Sequence, residues 1–269
     1  MIVKVLIMQL EAIAGDIKGN ILKAKNMLSN SGFSTADLII FPELWTIGWN
    51  CEKFNKCAEE LNSSLLIPFF KELSVKYNSN IIGGTSIIRK QNEKDRNTSF
   101  IFNRNGEMIA TYDKYHLFSH RGESEGTFLE SGTTGLLVNT DIGKIGISIC
   151  YDIRFPELFR MYAFNGADII VNMAAWPQSF MEEYDTLAKA RAIENQTCFL
   201  SSCLTGRIND SYDFSGHSQA LDYRGRVISK LKYEEKVLYA ELDLDEMRQY
   251  RQQMPILSDT KAQYKMMEK

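Results

Sequence analysis

The sequence predicts an α/β fold in which a mixed sheet, or two packed sheets, is covered by helices on the outside. Short apolar runs rich in β-branched residues alternate with helical patterns in both halves of the chain. Turn signals typical of hairpins lie between and after these alternating segments. Because the 269 residues contain no linker, low-complexity tract or internal repeat, we expect one domain over residues 1–269.

The elements of the first half follow from these patterns. Strands are predicted at residues 3–10, 37–41 and 80–88, and helices at residues 21–28 and 65–77. The helix at 21–28 has its apolar side chains on one side. The run Asn-Arg-Asn-Gly at residues 103–106 predicts a hairpin turn between strands at 100–102 and 108–112.

The second half continues the alternation. Strands are predicted at residues 134–138, 144–150, 168–172, 197–203, 217–221, 227–229 and 236–242. Helices are predicted at 156–165 and 180–195, and a last helix begins after Asp243. The segment from 254 is polar, and we expect it to dock on a surface or a partner.

Composition excludes several classes of function. The net charge of −3 argues against a nucleic-acid partner, and no apolar run approaches the length of a membrane span. The five cysteines are odd in number and lack metal or redox spacing, which favours free thiols in the cytoplasm. His116 and His120 have helix-face spacing but no accompanying Glu, so we expect no metal site.

Cys150 follows the apolar run 145–149 and precedes a helix with Pro156 near its first turn. A thiol between a strand end and a helix start is well placed to react, because helix N-termini stabilise the thiolate. The alternative is a core cysteine that packs as a small hydrophobic side chain.

Two other ionisable residues directly follow predicted strands. Glu43 lies beside Pro42 and Trp45 in a partly apolar setting that suits a general base, although a solvated loop carboxylate is the alternative. Lys114 lies among aromatic residues, where a desolvated ammonium can stabilise an oxyanion, although a surface lysine is the alternative. With Cys150, they supply the nucleophile, base and cation that thiol-based acyl transfer requires.

Several motifs together resemble one family. They are Phe-Pro-Glu at 41–43, Tyr-Asp-Lys-Tyr-His-Leu at 112–117, Cys-Tyr-Asp-Ile-Arg-Phe-Pro-Glu at 150–157, Ala-Ala-Trp-Pro at 174–177 and Lys-Ala-Arg-Ala-Ile-Glu-Asn at 189–195. The chain thereby resembles the nitrilase superfamily of carbon–nitrogen hydrolases over nearly its whole length. The motif at 150–157 resembles the Nit branch, which includes ω-amidases and the amidases of deaminated glutathione.

The resemblance implies a four-layer αββα sandwich that pairs into a homodimer, with the tail 254–269 docking at the dimer interface. It implies Cys150 as nucleophile, Glu43 as general base and Lys114 as the oxyanion-stabilising cation, with no cofactor. A second active-site glutamate is common in the family. The context Phe-Leu-Glu-Ser-Gly at 128–132 makes Glu130 the candidate for it.

The substrate is expected to be a small amide that bears a carboxylate. Arg154 lies four residues beyond Cys150, where its guanidinium could hold that carboxylate at two points, although an ion pair with Glu157 or Asp152 is the alternative. Such a substrate would be the ω-amide of a 2-oxo dicarboxylic acid, such as 2-oxoglutaramate. Tyr151 and Trp176 are candidate pocket walls, or ordinary core aromatics.

Other interpretations remain open at this point. Deaminated glutathione or an N-carbamoyl compound could be the substrate, and an amine could replace water as acceptor. A non-catalytic binding protein is disfavoured because Glu43, Lys114 and Cys150 are all present. A serine hydrolase is disfavoured because Cys150 stands where the nucleophile motif needs its second glycine. Arg191 is interpreted as structural, paired with Glu194 or Asp185.

Overall fold

Two six-stranded sheets form the centre of the protein, and helices cover both outer faces, so the expected αββα sandwich is confirmed. The computed structural model describes residues 1–50, 54–120, 123–209 and 212–261. The strands are β1 Ile2–Gln9, β2 Leu38–Ile40, β3 Asn80–Ile88, β4 Arg96–Phe102, β5 Met108–Asp113, β6 Ser119–His120, β7 Glu123–Ser124, β8 Leu136–Thr140, β9 Gly143–Ile149, β10 Ile169–Ala174, β11 Cys198–Cys203, β12 Thr205–Asn209, β13 Tyr212–Ser215, β14 Gln219–Leu221, β15 Val227–Lys230 and β16 Lys236–Asp243. The helices are α1 Ile17–Ser29, α2 Phe54–Cys57, α3 Leu66–Tyr77, α4 Pro156–Phe164, α5 Met181–Asn195, α6 Leu244–Gln253 and α7 Ile256–Asp259.

Each large sheet has three adjacent parallel strands at its centre. The first sheet has the order β16-β1-β2-β3-β4-β5, with β1, β2 and β3 parallel. The second has the order β15-β14-β11-β10-β9-β8, with β9, β10 and β11 parallel. Because β4 is antiparallel to both β3 and β5, strand β5 runs in the same direction as β2 and ends at the same edge of the first sheet.

The alternation of side chains along β1 explains the layers. Val3, Val5 and Ile7 belong to the core that contains the second sheet, whereas Leu6 and Met8 pack in the core that contains α1 and α3. Both sets are fully buried, because a strand between two apolar layers needs apolar side chains on both faces. Helices α4 and α5 cover the outer face of the second sheet.

The regular elements agree with the sequence predictions to within a few residues, but several short elements were not predicted. Hairpins β6–β7 and β12–β13 and the short helix α2 carry no clear apolar periodicity. Residues 150–154 form a 3-10 turn between β9 and α4. After α6 the tail continues through α7 to residue 261. Residues 262–269 of the predicted docking tail, and Cys51, lie outside the described residues.

In the ranges given above, no helix is both long and apolar enough to cross a membrane. The thiols of Cys57, Cys150, Cys198 and Cys203 are all free.

Candidate active site

The loop that follows β2 delivers Glu43 into the interior, where the residue is fully buried. Close contact with β3 holds this loop in place. Gly84 adopts a φ of +66°, and a Cβ atom there would lie 2.2 Å from the carbonyl oxygen of Pro42. Trp45 donates from its indole Nε1 to the Gly83 carbonyl oxygen at 3.0 Å. The Gly-Gly pair in β3 therefore allows the Glu43 loop to pack directly on the strand.

Both carboxylate oxygens of Glu43 accept hydrogen bonds. Oε1 accepts from Lys114 Nζ at 2.9 Å and from Asn97 Nδ2 at 2.9 Å. Oε2 accepts from the backbone N–H of Ala175 at 2.9 Å. These partners come from both sheets, so the side chain has one defined orientation.

Lys114 directly follows β5 and is 1% exposed, so the interpretation as a surface lysine is wrong. Its Nζ donates to Glu43 Oε1 at 2.9 Å and to Glu125 Oε2 at 2.7 Å, and it lies 5.5 Å from the ring centre of Trp49. Burial alone would lower the pKa of Lys114, but the charges of Glu125 and Glu43 raise it well above its usual value. The ammonium is therefore a fixed cation at the base of the site.

Cys150 lies at the end of β9 in a left-handed backbone conformation, with a φ of +46°. Such a conformation is uncommon outside glycine and is found in active-site turns. Its Sγ lies 4.0 Å from the Ala175 carbonyl oxygen. Burial, together with the negative charge of Glu43, raises the pKa of the Cys150 thiol well above its usual value. The resting side chain is a neutral thiol that needs a base before it can attack.

Asp152 braces the turn after Cys150, a contact that sequence reasoning missed. Its Oδ2 accepts from the Ile149 backbone N–H at 2.9 Å and from the Tyr112 hydroxyl at 2.8 Å. Its Oδ1 contacts both the backbone N–H and Nδ1 of His116, at 2.9 and 2.8 Å. Tyr112 and His116 flank Lys114 in the chain, so this buried carboxylate ties the lysine segment to the cysteine turn.

The structure does not bring Glu130 to the cluster; the contact to Lys114 comes from Glu125 instead. Glu130 is exposed, because its neighbour Leu129 is 1% exposed and occupies the inward position. Glu125 is fully buried, and its Oε2 also accepts from the Phe118 backbone N–H at 2.6 Å. The prediction of Glu130 depends on the local motif at 128–132, and the Gly-rich loop before this motif has no periodicity that could indicate Glu125.

The two carboxylate oxygens of Glu125 differ in their hydrogen bonding. Among the residues that the structure describes, none donates to its buried Oε1. Burial raises the pKa of Glu125 and the nearby charge of Lys114 opposes that rise. An unpaired buried acceptor is costly, and it is found where a ligand supplies the missing donor.

A cavity of about 280 Å³ opens above Cys150. It is lined by Trp49, Phe118, Ser119, His120, Cys150, Tyr151, Arg154, Ala175, Trp176, Pro177, Phe180 and Phe214. The three predicted pocket residues, Tyr151, Arg154 and Trp176, therefore all reach the same cavity as the thiol. Mostly apolar walls with a few polar groups are typical of a small-molecule site.

Arg154 is paired with Glu183, at 2.7 Å between Nη2 and Oε2, and not with Glu157 or Asp152. Its guanidinium also lies 4.9 Å from the ring centre of Trp176. Arg191 pairs with Glu194 at 2.7 Å, one of its two predicted partners, and donates to the Ile153 carbonyl oxygen. Arg191 thus supports the turn after Cys150 from behind.

No group of three or more His, Cys, Asp or Glu side chains in the described part of the chain is arranged to hold a metal ion. The chemistry that the site offers is that of a buried thiol beside two carboxylates and an ammonium. A base next to a thiol, with a cation aimed at the same point, is the arrangement used for nucleophilic attack on a carbonyl.

Comparison with known proteins identifies the family of the chain. The profile of the carbon-nitrogen hydrolase family matches residues 4–252. The chain is 33% identical to a 2-oxoglutaramate amidase of Bacillus subtilis over 94% of this chain and 95% of that protein. It is 30% identical to omega-amidase NIT3 of Saccharomyces cerevisiae, over 94% and 91% of the two chains.

Solved structures agree with the fold as well. The crystal structure of Saccharomyces cerevisiae Nit3, a member of branch 10 of the nitrilase superfamily, superposes with a TM-score of 0.83 at 29% identity and covers 94% of each chain. XC1258 of Xanthomonas campestris, at 23% identity, superposes with a TM-score of 0.90 over 98% of this chain and 99% of that one. The chain therefore belongs to the carbon–nitrogen hydrolase family of the nitrilase superfamily and is a hydrolase of carbon–nitrogen bonds.

Proposed function

We propose that the protein hydrolyses a small carboxylate-bearing amide to the acid and ammonia through a cysteine thioester. The substrate is the ω-amide of a 2-oxo dicarboxylic acid, of the 2-oxoglutaramate type. The observation that carries this proposal is the buried cluster of Cys150, Glu43, Lys114 and Glu125 beneath a cavity whose wall includes Arg154. Relatives of about 30–33% identity are amidases of this kind.

In the first half-reaction, the Cys150 sulfur attacks the amide carbonyl carbon while Glu43 takes the thiol proton. Glu43 then gives that proton to the amide nitrogen, the carbon–nitrogen bond breaks, and ammonia leaves. In the second half-reaction, a water molecule attacks the thioester carbonyl carbon while Glu43 takes a proton from that water. The carbon–sulfur bond breaks, and the proton returns to the sulfur.

The oxyanion of each tetrahedral intermediate is stabilised by Lys114 Nζ and by the backbone N–H of Tyr151. Lys114 is already fixed by two carboxylates and needs no reorganisation during the reaction. Tyr151 is in the first turn of the 3-10 segment after Cys150, where backbone N–H groups lack partners within the turn. Glu125 Oε1 accepts an N–H of the substrate amide and orients the leaving group.

Arg154 holds the distal carboxylate of the substrate, and Tyr151 and Trp176 enclose the chain between the two ends. A cavity of about 280 Å³ is at the small end of ligand pockets, which favours a short amide over a tripeptide derivative such as deaminated glutathione. A guanidinium also binds a carboxylate more specifically than an ammonium does, because it offers two parallel donors.

The proposal is tested by ammonia release from 2-oxoglutaramate, with glutamine, deaminated glutathione and an N-carbamoyl amino acid as competing substrates. We expect fast release from the 2-oxo amide and loss of that activity in Cys150→Ala. The matched control is Cys198→Ala, which removes another buried thiol outside the site and should retain activity. Preference for one of the competing substrates would refute the substrate class, and an active Cys150→Ala variant would refute the thioester.

We further propose a homodimer in which the outer face of α4 and α5 packs against its counterpart. Met161, Phe164 and Ile193 on these helices are 43%, 53% and 50% exposed, which is unusual for three apolar side chains on adjacent helices. The tail at Met254 continues this face, because Gln196 Nε2 donates to its carbonyl oxygen.

Phe164→Glu is expected to convert the dimer to monomer in light scattering, since a charge would be buried at the interface. Val75→Glu, a change at a 58% exposed position on α3, is the control and should leave the mass unchanged. A monomeric wild type, or a dimeric Phe164→Glu, would contradict the proposed interface.

The free thiols of the described residues fit a reducing compartment, and we place the protein in the cytoplasm.

A further inference from the structure

Arg154 forms a partition between two spaces. On one side is the cavity above Cys150, and on the other is a surface groove of about 420 Å³. Glu183 lines the groove and not the cavity, yet its carboxylate contacts Arg154 Nη2 at 2.7 Å. Glu183 therefore holds the guanidinium from the side opposite to the substrate.

An aromatic ring that is held by its own contacts lies beside the guanidinium. Arg154 lies 4.9 Å from the ring centre of Trp176. The indole Nε1 of Trp176 donates to the Phe180 carbonyl oxygen at 2.8 Å, and its ring packs 5.0 Å from that of Tyr184. The Tyr184 hydroxyl in turn donates to Asn172 Oδ1 at 2.8 Å inside the second sheet. The contact with Trp176 restrains the position of the guanidinium, and a second contact is needed to restrain its orientation.

Glu183 supplies that second contact. It lies in the first turn of α5, where a carboxylate is favoured by the positive end of the helix dipole. Within the described residues, Glu183 is the hydrogen-bond partner of Arg154, and it engages Nη2 alone. The other edge of the guanidinium remains for a carboxylate in the cavity.

We propose that Glu183 is a positioning residue that sets Arg154 for recognition of the substrate's distal carboxylate, and so determines the preference for acidic over neutral amides. The inference rests on the proposed function, because it assigns Arg154 to the substrate. The pair contributes little to folding, since the side chains of Glu183 and Arg154 are 52% and 32% exposed. Changes at Glu183 thus report on recognition rather than on stability.

The experiment compares KM and kcat for 2-oxoglutaramate and for pentanamide, an uncharged amide of the same chain length. Glu183→Ala is expected to raise KM for 2-oxoglutaramate about tenfold with kcat within about twofold. Without Glu183 the guanidinium of Arg154 is no longer oriented, so its charge-assisted contact with the substrate carboxylate weakens. That contact contributes to substrate binding and not to the chemical step. Constants for pentanamide should not change. Glu183→Gln should recover most of the loss, because its amide oxygen still accepts from Nη2.

Glu182→Ala is the matched control, since Glu182 is an exposed carboxylate that lines the same groove but makes no ion pair to Arg154. It should leave both substrates unaffected. A lower KM in Glu183→Ala would overturn the inference by showing that Glu183 competes with the substrate. An equal change for pentanamide, or the same change in Glu182→Ala, would also overturn it.

Calorimetric binding of glutarate, an unreactive dicarboxylate, separates this inference from the proposed function. If the wild type hydrolyses neither amide but binds glutarate about tenfold more tightly than Glu183→Ala does, the substrate proposal fails and the positioning role stands. If glutarate binds the wild type and Glu183→Ala equally, or binds neither, the positioning role is refuted whatever the turnover.

Discussion

Glu43→Gln is expected to lower the rate of amide hydrolysis strongly while Cys150 remains reactive toward small alkylating reagents. A positioned general base contributes roughly 10²–10⁴-fold to the rate, and we expect kcat to fall by that factor. Gln keeps the size of the side chain but cannot take the thiol proton. Steady-state ammonia release and iodoacetamide labelling of Cys150 measure the two properties on the same preparation.

The pH dependence of Cys150 labelling should differ between Glu43→Gln and the wild type, and the direction of the difference can be predicted. Burial and the negative charge of Glu43 both raise the pKa of the Cys150 thiol. Removing that charge leaves Lys114 beside the sulfur, so the pKa of the thiol should fall in Glu43→Gln. The labelling rate should therefore rise at lower pH than in the wild type. A labelling curve displaced to higher pH, or a kcat that stays within about tenfold of the wild-type value, would refute the role of Glu43 as base.

Glu43→Gln should also lower the stability of the fold, and this loss is measured against a separate control. All three partners of the carboxylate are donors, so an amide NH₂ must face one of them. We expect a loss of about 1–3 kcal/mol in the free energy of unfolding, as for an unsatisfied buried polar group. Glu107→Gln, at an exposed carboxylate in the β4–β5 turn, should match the wild type in the same urea titration.

The sequence predicted which residues would meet in the buried cluster where those residues follow strands, because the direction of a strand determines which sheet edge its end reaches. Glu43 follows β2 and Lys114 follows β5, and these strands run in the same direction in one sheet. Cys150 follows β9 in the other sheet. Apolar runs predict such strands from local sequence alone, so these three positions could be predicted.

The residues that support the cluster could not be predicted, because their partners are distant in the chain. Asp152 is in a recognisable motif, yet its bonds reach Tyr112 and His116, 40 and 36 residues earlier. Glu183 reaches Arg154 across 29 residues. Glu125 is in a loop whose conformation depends on its contacts with Lys114 and Phe118 rather than on a periodic pattern. Long-range pairing of this kind requires the assembled fold.

Lys114→Met is expected to remove activity and also to destabilise the protein more than any surface substitution. Lys114 forms ion pairs with two carboxylates, Glu43 and Glu125, which are both fully buried. Breaking a buried ion pair by removing one partner costs about 3–5 kcal/mol, because the remaining charge is uncompensated. Loss of an oxyanion-stabilising group lowers kcat by roughly 10²–10³-fold. Urea denaturation and ammonia release measure the two losses.

The loss of stability in Lys114→Met should depend on pH. Burial already raises the pKa of Glu125, and Lys114 opposes that rise, so its removal moves the folded-state pKa still further above the unfolded value. A carboxyl with a raised folded-state pKa favours folding when it is protonated, and this contribution is lost as pH rises. The deficit relative to wild type should therefore be smaller at about pH 5 than at about pH 8.

Lys90→Met is the matched control, because Lys90 forms a partly exposed ion pair with Asp113, the last residue of β5 and the neighbour of Lys114. Exposed pairs contribute about 0–1 kcal/mol, so this variant should unfold close to the wild type at both pH values and remain active. If Lys114→Met unfolds at the wild-type urea concentration, the buried carboxylates do not depend on the lysine charge. If its deficit grows as pH falls, the lost interaction is not with an ionised Glu125. The two roles of the Lys114 ammonium, stabilising the fold and stabilising the oxyanion, predict two results together. The loss in free energy of unfolding becomes smaller as pH falls, and turnover is lost.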